Sequence, residues 1–414
     1  MIDSDGPVTV VGAGQAGSQF AISLRESGHR GPITLVGDEK WVPYQRPPLS
    51  KSGNLTRPFE AHDVQLRSPE SYERAGVELR RGEAVVGIDR DRRRVALATG
   101  EVLSYAHLVL ATGTRPRPLA VPGADLRGVH YLRTLEDANR VRPLLAESAS
   151  PVVIGGGLIG LELAAAAACA GRPVTVVEAA ERTMAPAVCP VVATYVERMH
   201  ASRGNHLLCG CVVVSLDDNT SGGVAGVVLS DGRRLPADLV VVAVGVEPIT
   251  ELAAQVGLQL DNGIVVDRRL RTDDDCISAI GDCANFPDLA GRRTRLESVQ
   301  NAVDQARFLA GSLSGADGAY RVVPWFWSNQ FDLKLQFAGL GRATDECVVR
   351  EGPTGAAFSV FRFAADELVR VESVNCPLDH VAARRVLARP CCRPDPVEVR
   401  RAGFSLRHAR TCAH

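Results

Sequence analysis

Val8-Thr9-Val10-Val11-Gly12-Ala13-Gly14-Gln15-Ala16-Gly17, near the start of a 414-residue chain, decides the fold. An apolar, β-branched run enters Gly-x-Gly-x-x-Gly, and small residues follow as far as Gly28. That pattern predicts a strand, a tight turn and a helix. A second apolar strand, Ile33 to Val36, then ends at Asp38. In such a unit the first glycine makes the turn and the second lets the backbone approach a pyrophosphate. The third packs helix on strand, the helix N-terminus faces the phosphates, and the acid binds a ribose hydroxyl. The pattern recurs as Val152 to Ile154, Gly155-Gly156-Gly157-Leu158-Ile159-Gly160, a helical stretch to Gly171, and Val174 to Val177 before Glu178. One fingerprint alone is weak evidence. Two, each in full context, predict two bound dinucleotides.

Length predicts two or three domains. A hydrophobic content of 45%, 23% charged residues and a net charge of −1 describe an ordinary globular chain. They give no reason to expect a nucleic-acid or membrane partner. No apolar run reaches the ~18–20 residues needed to span a bilayer. The first strand begins almost at once, without a basic leader, so a cytoplasmic protein is expected. The eleven cysteines include Cys209-x-Cys211 and Cys391-Cys392, but no spacing suits zinc, and the nine histidines show none either. No metal is expected, and most cysteines read as small hydrophobes. Only Lys40, Lys51 and Lys334 are lysines among 47 basic residues, so a lysine inside a motif carries information.

Ala106 to Gly113 and Ala237 to Gly245 are each an apolar run ending in glycine, with Pro116 and Pro248 following. Each closes one dinucleotide unit. Between fingerprint and closing strand, Val77 to Leu97 and Val212 to Leu235 read as short antiparallel β segments with turns at Thr99-Gly100 and Asp231-Gly232. Ile277 to Gly281-Asp282 and a helix from about Ser298 to Leu313 resume the first unit, so the second is inserted into it. From Pro324 the pattern alternates through Trp325, Trp327, Phe331, Leu333, Leu335 and Phe337. Strands near Phe358 to Phe363 and Leu368 to Val374 and a helix near Asp379 to Leu387 complete a small α+β region. The Arg-rich last ~20 residues are expected to form a final helix or a mobile tail.

Tyr44-Gln-Arg-Pro-Pro-Leu-Ser-Lys51, Ala111-Thr-Gly-Thr-Arg-Pro116, Tyr131-Leu-Arg-Thr-Leu-Glu-Asp137, Ile280-Gly-Asp-Cys-Ala284, Glu297-Ser-Val-Gln-Asn301 and Trp325-Phe-Trp-Ser-Asn-Gln330 occur in order around the two fingerprints. From about residue 7 to 390 the chain resembles the FAD-dependent, NADH-utilising ferredoxin reductases that serve oxygenases. Only the tail and Asp273-Asp-Asp-Cys276 depart noticeably. The resemblance implies an α/β, glutathione-reductase-like fold. Two Rossmann-like domains are expected, FAD-binding 1–115 with 247–322 and an inserted NAD-binding 116–246, followed by an α+β interface domain 323–414. It assigns FAD to the first fingerprint and NADH to the second.

The resemblance also implies site residues. Gly12, Gly14, Ala16 and Gly17 lie at the FAD pyrophosphate and Asp38 at the adenosine ribose. Val85 meets the adenine, Arg133 approaches the cofactor, and Asp282 holds the ribityl–pyrophosphate region. Lys51 lies by the flavin ring, which Val299 and Trp327 line. Gly155, Gly157, Gly160, Glu178 and Gly245 go to NADH. The residues alone leave blander readings open: Glu39 in place of Asp38 at the ribose, Asp282 as a helix cap, Arg133 as a surface charge. A carboxylate at Glu178 suits the two ribose hydroxyls of NADH and repels the 2′-phosphate of NADPH, although Arg182 is near. Lys51 and Glu162 are the expected catalytic pair, an oriented ammonium stabilising negative charge on reduced flavin, against a reading as two solvated charges.

Residues 39–60 contain no cysteine, where disulfide-reducing relatives carry a redox pair. Electrons are therefore expected to leave flavin directly, singly, to a 2Fe-2S ferredoxin. Arg307 and Lys334, with Arg67 and Arg295, are candidate docking charges, or simply solvated. A monomer or weak dimer is expected. The alternatives are a rubredoxin reductase, or a redox-sensing flavoprotein resembling apoptosis-inducing factor.

Overall fold

The computed structural model describes residues 4–408 apart from 52, 186, 353 and 354. The chain forms two compact units, each discontinuous in sequence. The first comprises Met1–Gln45, Glu60–Arg115 and Val246–Pro324; the second comprises Arg46–Phe59, Pro116–Gly245 and Trp325–His414.

In the first unit a parallel sheet runs Ile277–Ala279, His107–Leu110, Val8–Val11, Ile33–Gly37, Val77–Arg81. Val8 lies opposite both Ile33 and His107. The central strands are buried along their whole length, as continuous apolar runs in parallel sheets are. Helix Gln15–Glu26 makes the crossover and packs against helix Val299–Leu313. Phe20, Leu24, Leu35, Leu108 and Leu309 lie in the core between these elements.

Val77–Arg81 corrects the expectation of an antiparallel segment, because it pairs parallel to Ile33–Gly37. Its alternation suits a half-buried strand of either direction, and direction is a property of the partner. The antiparallel meander is Val85–Asp89, Arg94–Leu97 and Val102–Ser104, turning at Gly100 with φ +89°.

The fold hides an acid-sensitive group in this unit. His107 Nε2 lies 3.0 Å from Ser278 Oγ. Burial, aided by Arg271, pulls the imidazole from 6.5 down to about 4. The unfolded chain binds this proton near pH 6.5 and the folded chain only near 4, so stability falls as pH drops through that window. At pH 5 the deficit is about 2 kcal/mol. The thermal midpoint is expected to fall between pH 7 and pH 5, with a shallower slope in His107→Gln. An equal slope in variant and parent would show that His107 does not contribute.

The second unit holds a parallel sheet ordered His206–Leu208, Thr175–Val177, Pro151–Ile154, Leu239–Val242, Val129–Tyr131. Helix Leu158–Cys169 follows Gly157, and helix Pro190–Ser202 packs beside strand His206–Leu208. An antiparallel trio, Val213–Asp218, Val224–Leu229 and Arg234–Pro236, flanks the closing strand in sequence. The C-terminal sheet is five-stranded and antiparallel: Trp325–Gln330, Leu333–Gly339, Glu367–Val374, Phe358–Ala364, Glu346–Glu351. Helix Pro377–Leu387 packs on its strands Leu333–Gly339 and Glu367–Val374.

Two features differ from the expected division. Segment 46–59 lies with the second unit, where Leu55 is buried and Arg142 donates to the carbonyls of Lys51 (2.9 Å) and Asn54 (3.2 Å). The C-terminal sheet shares a core with the inserted unit, since Leu333, Leu335 and Phe337 join one cluster with Val141, Leu161 and Val192. Alternation shows that a strand has an inner face, not what covers it. Of the tail, Pro396–Arg400 is helical, Leu406–His408 is a 3-10 turn, and residues 409–414 lie outside the described residues.

Candidate functional site

The first fingerprint is a backbone cradle in the first unit. Gly12 has φ +109°, and a Cβ there would stand 2.1 Å from the Ala111 carbonyl oxygen. A Cβ on Gly17 would stand 2.0 Å from the Gly12 oxygen, so only hydrogen fits where helix meets strand. Gly14 differs: a Cβ there meets no protein atom within 4 Å. It is the N-cap of Gln15–Glu26 and offers no capping side chain, which leaves the first-turn N–H groups to an anion. These observations fit a bound pyrophosphate. Buried Ala16 lies in the first helical turn beneath Gly281, where an added Cβ would come within 2.9 Å of the Ala16 Cβ.

Asp38 is exposed just past the end of its strand, whereas Glu39 is half-buried and accepts from the Tyr44 hydroxyl at 2.5 Å. Val85 opens its strand half-buried. Asp282 lies in the 3-10 turn Gly281–Cys283, its carbonyl accepting from Arg295 Nη1 at 3.1 Å. Val299 is the first residue of the helix capped by Ser298, whose hydroxyl accepts from the Asn301 N–H.

The second unit repeats the cradle. Gly155 has φ +110°, and a Cβ on Gly160 would stand 2.1 Å from the Gly155 oxygen. Gly157 faces open space as Gly14 does, and again is an N-cap without a side-chain cap. Glu178 is set against this turn: Oε2 accepts from the Gly156 N–H at 2.7 Å and Oε1 from the Ala180 N–H at 2.8 Å. Arg182 is engaged elsewhere, donating to the carbonyls of Ala185 (2.8 Å) and Val188 (2.9 Å). Gly245, with φ +95°, follows the closing strand.

The structure brings Lys51 and Glu162 together inside the second unit. Lys51 Nζ donates to Glu162 Oε1 at 2.7 Å, and the side chains are 19% and 7% exposed. Ser328 Oγ donates to Oε1 at 2.7 Å and Ser50 Oγ to Oε2 at 2.5 Å. These are not solvated surface charges. The two serines escaped the sequence reading, although each sits inside a quoted motif, Ser50 beside Lys51 and Ser328 beside Trp327. Trp327 is half-buried, 5.6 Å centroid to centroid from Trp325. Arg133 is half-buried in the same unit, its N–H donating to Asp137 Oδ2 and its carbonyl accepting from Arg46 Nη1 at 2.7 Å.

Of the candidate docking charges, Arg307 and Lys334 are exposed. Arg67 instead donates to Gln19 Oε1 at 2.9 Å. Arg295 has a side chain 8% exposed and pairs with Glu297 at 2.8 Å. Both are thus held by neighbouring side chains, where Arg307 and Lys334 stand out to solvent. Burial pushes the thiols of Cys189 and Cys209 up, to about 12 and about 11. Among the described residues no group of three or more His, Cys, Asp or Glu could hold a metal ion. No described helix is long and apolar enough to cross a membrane.

Rhodocoxin reductase of Rhodococcus erythropolis is 50% identical over 383 residues, 92% of this chain and 89% of that protein. Putidaredoxin reductase of Pseudomonas putida is 41% identical over 92% of this chain and 91% of its own length. The crystal structure of the ferredoxin reductase for the CYP199A2 system of Rhodopseudomonas palustris matches with a TM-score of 0.93 and 44% identity, covering 97% of this chain and 98% of that one. The covalent putidaredoxin reductase–putidaredoxin complex matches with a TM-score of 0.92 and 39% identity, covering 98% of both chains. Residues 325–410 match the model described as Reductase C-terminal. With residues 6–306 matching the Pyridine nucleotide-disulphide oxidoreductase model, the chain with its two glycine cradles belongs to that family.

Proposed function

We propose that this chain is a cytoplasmic NADH:ferredoxin reductase, with FAD in the first cradle and NADH in the second. It delivers electrons singly to a 2Fe-2S ferredoxin that feeds a haem monooxygenase or Rieske dioxygenase. The observation that carries the reading is the pair of cradles within a chain related over more than nine-tenths of its length to ferredoxin reductases. When bound, FAD accepts a hydride from a nicotinamide and releases its two electrons one at a time.

The protein's own part is placement. The first cradle, with Ala16 and Asp282, binds FAD phosphates and ribityl; Asp38 holds the adenosine ribose, Val85 the adenine, and Arg133 an anionic part of FAD. Val299 and Trp327 line the ring, and Lys51, oriented by Glu162, is the catalytic cation beside it. Gly155, Gly157, Gly160, Gly245 and Glu178 hold NADH. The proposed partition is by nucleotide, FAD-binding 1–115 with 247–322, NAD-binding 116–246 and interface 323–414, with segment 46–59 and the interface sheet packed in the same compact unit as the NAD-binding part, in a monomer or weak dimer. Exposed Arg307 and Lys334 contribute to ferredoxin docking.

Reconstitution tests this reading: NADH-driven cytochrome c reduction through a panel of purified 2Fe-2S ferredoxins and a rubredoxin. Fast transfer through at least one ferredoxin is expected. A rubredoxin–NAD(+) reductase of Pseudomonas putida, 39% identical over 371 residues, favours rubredoxin as the second reading. Transfer through rubredoxin alone would establish it, and transfer through neither would overturn both.

Nucleotide choice follows from Glu178. Its carboxylate is fixed by two backbone N–H groups and repels a 2′-phosphate, while Arg182 is occupied by carbonyls. NADH is expected to exceed NADPH in kcat/KM by about 100-fold, and Glu178→Gln to lower that ratio at least about tenfold. Initial rates with both nucleotides check this. A parent enzyme preferring NADPH would refute it.

A further inference from the structure

Four charged side chains are buried in the C-terminal part of the second unit, and none belongs to the nucleotide sites above. Glu372 is fully buried, and Arg362, Arg370 and Asp345 are nearly so. Glu372 Oε1 lies 3.0 Å from both Arg362 Nη1 and Arg370 Nε, and Asp345 Oδ2 lies 3.5 Å from Arg362 Nη2. The group is neutral as a whole. Such an arrangement is often no more stable than apolar packing of equal volume, so stability alone explains it poorly.

Its remaining hydrogen bonds point to one place. Glu372 Oε2 accepts from the Cys189 backbone N–H at 2.8 Å, and Arg370 Nη2 donates to the Ala187 carbonyl. Both belong to the loop that leaves Glu178 and ends at the N-cap of Pro190–Ser202. Nearer Glu178, this loop grips the fingerprint. The Met184 N–H donates to the Gly156 carbonyl at 2.9 Å, while the Gly156 N–H donates to Glu178 at 2.7 Å. Thr183 is fixed in turn, its N–H donating to Glu197 Oε1 at 2.9 Å. Arg182 is folded back within the loop, on the carbonyls of Ala185 and Val188. Arg370 is stacked on Phe326 and Phe337, 5.2 and 5.3 Å from their centroids, and so is not free to follow a moving loop.

We propose that Arg370 and Glu372 are positioning residues for the choice between NADH and NADPH. They hold residues 182–185 and 187–189 so that Glu178 is presented to a ribose and Arg182 stays on backbone carbonyls. Releasing the loop weakens the first arrangement and frees a guanidinium, the group suited to a 2′-phosphate. Neither positioning residue needs to touch the nucleotide. The inference rests on the reading that the second fingerprint holds NADH.

The test compares Arg370→Met, which keeps an apolar stem on the two rings, with the charge-balanced double variant Arg370→Met/Glu372→Gln, which retains Arg362 with Asp345. In each, kcat/KM is measured for NADH and NADPH, and calorimetry gives Kd for NAD+ and NADP+. The NADH:NADPH ratio is expected to fall at least about fivefold in kcat/KM and in affinity, with flavin content and ferredoxin KM unchanged. Adding Arg182→Ala should remove the NADPH gain and leave the NADH loss. A merely structural role would lower the melting temperature and depress both nucleotides alike, leaving the ratio in place. A ratio within twofold of the parent in either folded variant overturns the proposal. A parent that does not prefer NADH would instead overturn the reading beneath it.

Discussion

Lys51→Met is expected to slow reduction of the bound flavin by NADH about 100-fold in rapid-mixing experiments, with little change in the nucleotide Kd. The magnitude is that of removing one preorganised charge from a site where charge develops. The ammonium is fixed by protein groups alone: Glu162 accepts from it at 2.7 Å and is itself held by Ser50 and Ser328. With 7% of its side chain exposed, Glu162 is worth little as a surface charge and much as an orienting group. Glu162→Gln keeps the shape but removes the charge that orients Lys51, so a smaller loss, about tenfold, is expected. Stability should follow a different order. Lys51→Met strands a buried carboxylate, at a cost of about 3 kcal/mol, and Lys51→Met/Glu162→Gln should recover most of the melting temperature without recovering the rate. An unchanged reduction rate in Lys51→Met would remove Lys51 from the mechanism.

The two nucleotide units were legible because their signals are local. Strand, glycine turn, helix and terminal acid occupy about thirty consecutive residues each, and every step is a backbone or packing requirement. Lys51 and Glu162 could be paired only through the resemblance, since 111 residues separate them. Ser50 and Ser328 were missed for the same reason, because a hydroxyl has no signature until its distant acceptor is placed.

The buried Arg362, Arg370 and Glu372 show a different limit. In Phe358–Ala364 and Glu367–Val374 they alternate with apolar residues, a pattern that reads as a solvent face. Here nearly every residue of both strands is buried, so the polar positions must satisfy one another. Periodicity reports the pleat. It does not report how many faces are covered.

Gly14→Ala and Gly157→Ala are expected to separate the two nucleotides with almost no disturbance of the polypeptide. At both positions the backbone is ordinary for an L-residue, with φ −83° at Gly14 and −75° at Gly157, and an added methyl meets no protein atom within 4 Å. The change of N-cap costs each helix at most about 1 kcal/mol. What the methyl does fill is the space at the helix N-terminus where a pyrophosphate must come against the backbone. Losing that approach by one methyl radius removes about 2–3 kcal/mol of binding, or about 30- to 150-fold. Gly14→Ala should therefore fold normally and purify with little yellow colour, regaining it only at high added FAD. Gly157→Ala should purify fully yellow and show a KM for NADH raised about 30-fold or more. Gly17→Ala and Gly160→Ala are the contrasting pair, because their methyls would strike backbone oxygens at 2.0 and 2.1 Å and disturb the units themselves. Flavin-to-protein ratios, melting curves and NADH titrations distinguish these outcomes. Normal flavin content in Gly14→Ala would show that the first cradle does not receive FAD, and an unchanged KM in Gly157→Ala would remove NADH from the second.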